Sequence, residues 1–251
     1  MEPQLLHSVT DSVATVVIHH PEKRNAMTSA MWAALPPLLD ALAADPQVRA
    51  LVLTGAGGTF CAGADIGALQ DTPEEAKGLA LRAEDALAAF PKPTLAAVRG
   101  HCVGGGTQLA AACDLRFAEE GSLFGVTPAK LGIVYAASST RRLAALTSPS
   151  AAKYLLFSGE LIDSARALRT GLVDEVLPAG ELGKRVAEFT RILVSRSQLT
   201  QAAAKEFANG REDRDAHWRE QASGSGDLAE GVAAFLQRRP PRFTWSVPTS
   251  E

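Results

Sequence analysis

Apolar positions in the first third of the chain switch between two periods. Residues 12–18 (SVATVVI) carry Val13, Val16, Val17 and Ile18 in a β-branched run that predicts a strand. Residues 50–54 (ALVLT), closed by Gly55, predict a second. Between them Met31, Leu35, Leu38, Leu39 and Leu42 recur at helical spacing behind Thr28 or Ser29 as cap, and Pro36 and Pro37 are expected to kink that helix or delay its start. Thr72, Pro73 and Glu75 form a start signal for a helix reaching about residue 90.

A third strand is predicted at 92–98 (KPTLAAV), ending at Gly100. Residues 101–106 then lead into a compact helix of small residues at 107–112. Short strands follow at 115–118 and 122–124, helices at 138–146, 150–158 and 164–169, and a last strand at 174–177. Beyond Gly180 the pattern is wholly helical, with segments at 182–195, 200–209, 213–223 and 227–237 before an irregular Pro- and Arg-rich end at 238–251. The fold class is α/β: a β-rich core at 1–190 and a C-terminal helical region at 191–251, with no internal repeat.

Composition narrows the function. A 251-residue chain that is 46% hydrophobic and 21% charged can bury a full core, which excludes disordered and disulfide-scaffold classes. The net charge of −3, spread along the chain, gives no electrostatic reason to expect nucleic acid or an acidic membrane as partner. Cys61, Cys102 and Cys113, without CxxC spacing, read as reduced buried thiols. Residues 1–20 lack a basic n-region followed by an apolar core, and no run approaches the roughly 18 apolar residues of a membrane span, so a cytoplasmic enzyme is expected. His19 and His20 point to opposite faces if they extend the first strand, and no Cys, His and acidic cluster predicts a metal.

Three consecutive glycines, Gly104 to Gly106, between a predicted strand and a predicted helix remove every Cβ from the turn. Backbone N–H groups at a helix start lack internal partners and favour a developing anion. The turn at 60–66 (FCAGADI) around Gly63 offers a second donor, and two preorganised donors on one oxyanion are the usual device for enolate chemistry. Packing corners would use the same glycines. Neither GxGxxG nor GxxxxGKS/T stands in a strand-to-helix setting, which argues against nucleotide binding.

Taken together, residues 21–27 (PEKRNAM), 60–66, 92–114 (KPTLAAVRGHCVGGGTQLAAACD) and 157–176 resemble the crotonase (enoyl-CoA hydratase/isomerase) superfamily in order, spacing and content. The resemblance covers nearly the whole chain. It implies a spiral of ββα units, a C-terminal helical trimerisation region, and a homotrimer or dimer of trimers. It implies an acyl-CoA thioester substrate whose oxyanion hole is the N–H groups of Ala64 and Gly105, with no cofactor beyond the coenzyme A of the substrate. Ala26, Ala62, Asp65, Ile66 and Gly104 then lie along the CoA and thioester. Lys23 or Arg24, and Arg238, Arg239 and Arg242 from a neighbouring subunit, are candidate phosphate contacts, with solvated surface charge the alternative.

Family hydratases carry two glutamates where this chain has Gln108 and Pro128, so hydration by the usual pair of carboxylates is not expected. Residues 124–135 (FGVTPAKLGIVY) are instead similar to methylmalonyl-CoA decarboxylases, in which a TPxxLGxxY pattern places a threonine and a tyrosine near the substrate carboxylate; Thr127 and Tyr135 match. That similarity departs at Ala64, where the subfamily has a histidine, and at Gln108, where it has a glutamate. Decarboxylation of a malonyl-type ester needs no base, since the electron pair of the breaking C–C bond enters the enolate. The expected roles are therefore Tyr135 and Thr127 on the carboxylate, Ala64 and Gly105 on the thioester oxygen, and Gln108 as a neutral neighbour. Two alternatives stand: an enoyl-CoA hydratase or isomerase using another carboxylate such as Asp71, Glu74 or Glu75, and a non-catalytic acyl-CoA-binding protein. Tyr135 as a half-buried core aromatic, Thr127 as a turn residue and His101 as a structural histidine are the corresponding structural readings.

Overall fold

Asp11 and Ser12 both adopt positive φ, 50° and 63°, in a two-residue turn that sets Thr10 opposite Val13. Such a left-handed pair matches the twist of the strands it joins. It creates an antiparallel hairpin of β1 (Gln4–Thr10) and β2 (Val13–His19). The apolar pattern gave no strand before residue 12, because β1 is an almost fully exposed edge with little to bury. In β2, Ala14, Val16 and Ile18 alternate inward as a half-buried strand requires.

The computed structural model describes residues 2–67 and 73–247. The cap assigned to Thr72 and the candidate base Asp71 lie outside them. After β2 come α1 (Ser29–Ala44), β3 (Ala50–Gly55), α2 (Pro73–Ala88), β4 (Thr94–Val98), β5 (His101–Val103), α3 (Gly105–Ala112), β6 (Leu115–Glu119) and β7 (Leu123–Gly125). The chain continues through α4 (Pro128–Leu131), α5 (Ala137–Leu146), α6 (Pro149–Ser158), β8 (Ile162–Asp163), α7 (Ser164–Thr170) and β9 (Glu175–Leu177). Four helices follow: α8 (Leu182–Val194), α9 (Gln198–Ala208), α10 (Asp215–Ser225) and α11 (Asp227–Leu236).

The large sheet has the order β1-β2-β3-β4-β6-β9 and is parallel beyond the first pair. A small sheet has the order β5-β7-β8. β4 is buried throughout, as a central parallel strand covered on both faces should be. It begins at Thr94 rather than at Lys92, whose amine is occupied elsewhere: Nζ donates to the carbonyls of Asp45 (2.7 Å) and Leu42 (3.4 Å) at the end of α1.

Helix α1 begins at Ser29, so the prolines do not delay its start. Thr28 caps it, Oγ1 accepting from the Met31 N–H, and it runs unbroken through Pro36 and Pro37. The helix is held by its other face, where Met31, Trp32, Leu35, Leu39 and Leu42 are buried, while Pro37 is exposed. One continuous cluster joins Ile18 and Leu53 of the large sheet, Trp32 and Leu39 of α1, Leu87 of α2 and Phe124 of the small sheet. On the opposite face of the large sheet, Leu182, Val186 and Phe189 of α8 pack on Val52, Leu95 and Phe117, with the Phe117 and Phe189 rings 5.1 Å apart. Position 190 falls inside α8, which covers the sheet. Helices α9 and α10 form a third cluster around Leu199, Ala202 and Trp218, onto which Trp245 folds back.

Candidate active site

The site begins with a buried asparagine. Asn25, at φ 59° and fully buried, donates from Nδ2 to the carbonyls of Ala56 (2.8 Å) and Thr59 (2.6 Å), and its Oδ1 accepts from the His20 N–H (2.9 Å). These bonds tie the glycine loop after β3 to the end of β2. The chain then pairs Met27 with Ala64 in a short parallel bridge: the Met27 N–H donates to Gly63 O and the Asp65 N–H to Met27 O, both at 2.8 Å. In a bridge of this kind the bonds flank the central residue, so the N–H of Ala64 points away from Met27. It donates to no group among the described residues.

The other amide comes from α3. Gly104, at φ 54°, is the residue before the helix; its own N–H is held by Gly125 O at 2.8 Å. Gly105 opens the helix, earlier than the residue 107 expected, and its N–H is one of the donors a helix start leaves unpaired. The two loops meet. A Cβ added to Gly105 would stand 3.5 Å from Ala64 N, and one added to Gly63 would stand 3.6 Å from Gly105 N. Thr107 Oγ1 pins the arrangement from behind through the carbonyls of Cys102 (2.7 Å) and Gly125 (2.9 Å).

Both amides border a cavity of about 410 Å³. Trp32, Ala80, Leu81, Ile133 and Val134 make its wall largely apolar. Gln108, Thr127 and Tyr135 line it as the sequence suggested, and so do Ala62, Ile66 and Gly104. Pro128 lines it too, so no carboxylate stands at either glutamate position of the family hydratases. The Tyr135 hydroxyl is buried and meets no partner among the described residues. Burial, reinforced by the nearby Glu84 charge, pushes this phenol well above its ordinary value. The expected hydrogen bond from Tyr135 to a substrate group is thus not preformed.

Glu74 of α2 stands at the rim of the cavity with its side chain 86% exposed and paired to Lys77 at 2.8 Å; Glu75 is exposed too and does not line the cavity. A second carboxylate escaped the sequence reading. Glu84 lies behind Gln108, where Gln108 Nε2 donates to its Oε2 at 3.1 Å. Ser139 and Arg142 of α5 also bind it. Burial raises its carboxyl above the usual range, with Ser139 and Arg142 pulling the other way. Its sequence signal was a charge within the stripe Ala76, Ala80, Ala83 and Leu87, which faces inward.

The candidate CoA contacts divide. Lys23 is not a free cation: its amine holds Asp65 at 2.7 Å, and that hydrogen bond keeps the Asp65 carboxyl below its ordinary range. Arg24 is exposed at φ 52°, and Ala26 is buried, its carbonyl bonded to the His20 ring at 2.8 Å; none of these four lines the cavity. Arg239 is committed to Glu230 of its own chain at 2.6 and 2.9 Å, which brings Glu230 down to about 2. His101 pairs in β5. Among the described residues no group of His, Cys and acidic side chains is placed to hold a metal, and no helix is long and apolar enough to cross a membrane.

This mixed α/β chain, in which Ala64 and Gly105 line one largely apolar cavity, has counterparts among known proteins. The enoyl-CoA hydratase/isomerase family model matches residues 8–245. A Thermus thermophilus protein named provisionally as an enoyl-CoA hydratase is 37% identical over 92% of this chain and 97% of its own length. The crotonyl-CoA hydratase of Syntrophomonas wolfei is 32% identical over 93% and 95% of the two chains. A solved structure of an enoyl-CoA hydratase/isomerase family member superposes with a TM-score of 0.90 at 36% identity, covering 98% of this chain and 100% of that one. The chain belongs to the enoyl-CoA hydratase/isomerase family. It is a crotonase-superfamily acyl-CoA enzyme.

Proposed function

We propose that the protein binds a coenzyme A thioester with its carbonyl oxygen between the N–H groups of Ala64 and Gly105, and transfers protons on an enoyl acyl group through the enolate. The overall change is hydration or migration of the double bond. The observation that carries this reading is the convergence of two unpartnered amides on one cavity. Donors fixed before reaction favour the enolate over the neutral ester and so lower the barrier.

Glu74 is the proton carrier in this reading: it is a carboxylate at the exposed rim of the cavity that must release Lys77 and turn inward to reach the acyl group, and neither Gln108 nor Pro128 exchanges a proton near neutral pH. A positioned acid or base contributes roughly 10²–10⁴ in rate. Shifting a double bond needs one such group, which takes a proton from Cα and returns it at Cγ; hydration needs a second, or an ordered water. The hydratase names of the relatives, including a 2,3-dehydroadipyl-CoA hydratase from Escherichia coli K12 at 31% identity, support the substrate class. The CoA would cross Ala26 and the backbone of residues 62–66, with the Lys23 and Asp65 pair at its edge.

Decarboxylation of a malonyl- or methylmalonyl-type ester is the second reading, favoured by Thr127 and the Tyr135 ring in the same wall. Purified protein incubated with crotonyl-CoA, 3-hexenoyl-CoA and methylmalonyl-CoA separates the two when thioester masses, CO₂ and the ultraviolet absorbance of the conjugated 2-enoyl thioester are followed. Enoyl turnover that falls about 10²-fold or more in Glu74→Gln is expected. CO₂ release with both enoyl esters untouched would establish the second reading, and tight binding without any turnover a non-catalytic role.

A further inference from the structure

Glu84 is 1% exposed, and both of its carboxylate oxygens are hydrogen-bonded. Its Oε1 is held by Arg142, whose other nitrogen reaches Asp85 at 3.2 Å. Its Oε2 accepts from Ser139 Oγ at 2.6 Å and from Gln108 Nε2 at 3.1 Å. Gln108 Nε2 also stands 3.3 Å from Ser139 Oγ, on the same side as Glu84. A carboxylate only accepts, so Gln108 must turn its NH₂ toward Glu84 and its carbonyl oxygen the other way. Among the described residues the side-chain hydrogen bonds of Gln108 run through Nε2 and none reaches that oxygen, while Gln108 forms part of the cavity wall.

We propose that Glu84 is a positioning residue that locks Gln108 as an obligate hydrogen-bond acceptor, so that the cavity sorts acyl groups by whether they bring a donor to it. A hydroxyl or a bound water beside the thioester meets the Gln108 carbonyl. A substrate carboxylate meets a second acceptor with the Glu84 charge behind it. The inference rests on the reading that this cavity receives the acyl part of a CoA ester. Glu84 itself touches no substrate, because Gln108 stands between it and the cavity.

Three esters without an α-proton test it, since proton transfer does not consume them: pivaloyl-CoA, hydroxypivaloyl-CoA and dimethylmalonyl-CoA, the last two differing in CH₂OH against carboxylate. Calorimetric dissociation constants on the full-length protein are expected to rank the hydroxyl ester tightest and the carboxylate ester weakest. Glu84→Gln presents either amide face to Gln108 and frees it to flip, so the ratio of the two constants should fall by about 3- to 10-fold, the worth of one hydrogen bond. Gln108→Met, at the cavity wall, should abolish the hydroxyl preference without depending on how well the Glu84 variant folds. An unchanged ratio in both variants, tighter binding of dimethylmalonyl-CoA by the unmodified protein, or its loss of CO₂ would overturn the assignment. Failure to bind any of the three would instead remove the reading of the cavity beneath it.

Discussion

The Gly105 Cα and the indole of Trp32 are in contact, so closely that a Cβ on Gly105 would stand 2.9 Å from Cζ2 and 3.1 Å from Cη2 of the ring. Trp32 is buried in α1 and cannot swing aside. Gly105→Ala must therefore tilt the first turn of α3 and turn its N–H away from that of Ala64. A loss of about 10²–10³ in kcat/KM is expected, the usual cost of one oxyanion donor, measured on the best ester of the panel. Trp32→Phe in the same chain should recover part of it by making room; no recovery would mean that the clash is not the cause.

Gly106 is constrained more tightly, by the backbone. A Cβ there would fall 2.2 Å from Cys61 O, where β5 and the turn at Ala64 are bridged through Cys61 and Cys102. Nothing flexible can yield, so Gly106→Ala should destabilise the fold by about 3 kcal/mol or more. Urea unfolding checks this. Gly121→Ala is the control, because an added Cβ there meets open space and only its left-handed φ of 82° resists.

The parts of the fold that bury an alternating or helical stripe were legible: β2, β3, α1 and α9 lie within a few residues of their expected places. Those missed have no such stripe. β1 is exposed, β5 is three residues long and owes its strand geometry to β7, and α3 starts on glycines whose intrinsic preference opposes a helix. For the site, Ala64 and Gly105 followed from resemblance, and no local pattern shows that their amides converge. The Glu84 and Gln108 contact spans 24 residues and depends on how α2 packs beside α3, which no periodicity encodes. The Tyr135 hydroxyl was assigned to a ligand from a motif; the residue does line the cavity, and the burial of its hydroxyl without a partner was not legible in that motif.

Lys92 makes a prediction about alkaline stability. Burial among the carbonyls at the end of α1 brings its amine from the ordinary 10.5 down to about 8, against the opposing pull of Asp45. Below about pH 8 folded and unfolded chains both carry the proton; between about 8 and 10.5 the unfolded chain binds it more, so this group makes stability rise with pH across that window. The difference in unfolding free energy between the unmodified protein and Lys92→Met should therefore grow in favour of the former from pH 8 to 10.5. A difference that stays flat or shrinks would show that the amine is not desolvated.

Helix α11 presents Leu228, Val232, Phe235 and Leu236 on one face, 79%, 51%, 83% and 74% exposed. Their spacing of four, three and one residues is that of a helix built to bury this stripe, and a contiguous apolar face of this kind in water marks an interaction surface. The occupant we propose, from the family resemblance, is other copies of the same chain in a trimer or a dimer of trimers. Light scattering should then give a mass of three or six chains. The double variant Leu228→Asp and Phe235→Asp should shift it toward one chain, because two carboxylates cannot be desolvated against an apolar partner. The same variant should leave the cluster around Trp218 and the far-UV spectrum unchanged. A monomeric unmodified protein, or a variant that still assembles, would mean that this stripe serves something other than self-association.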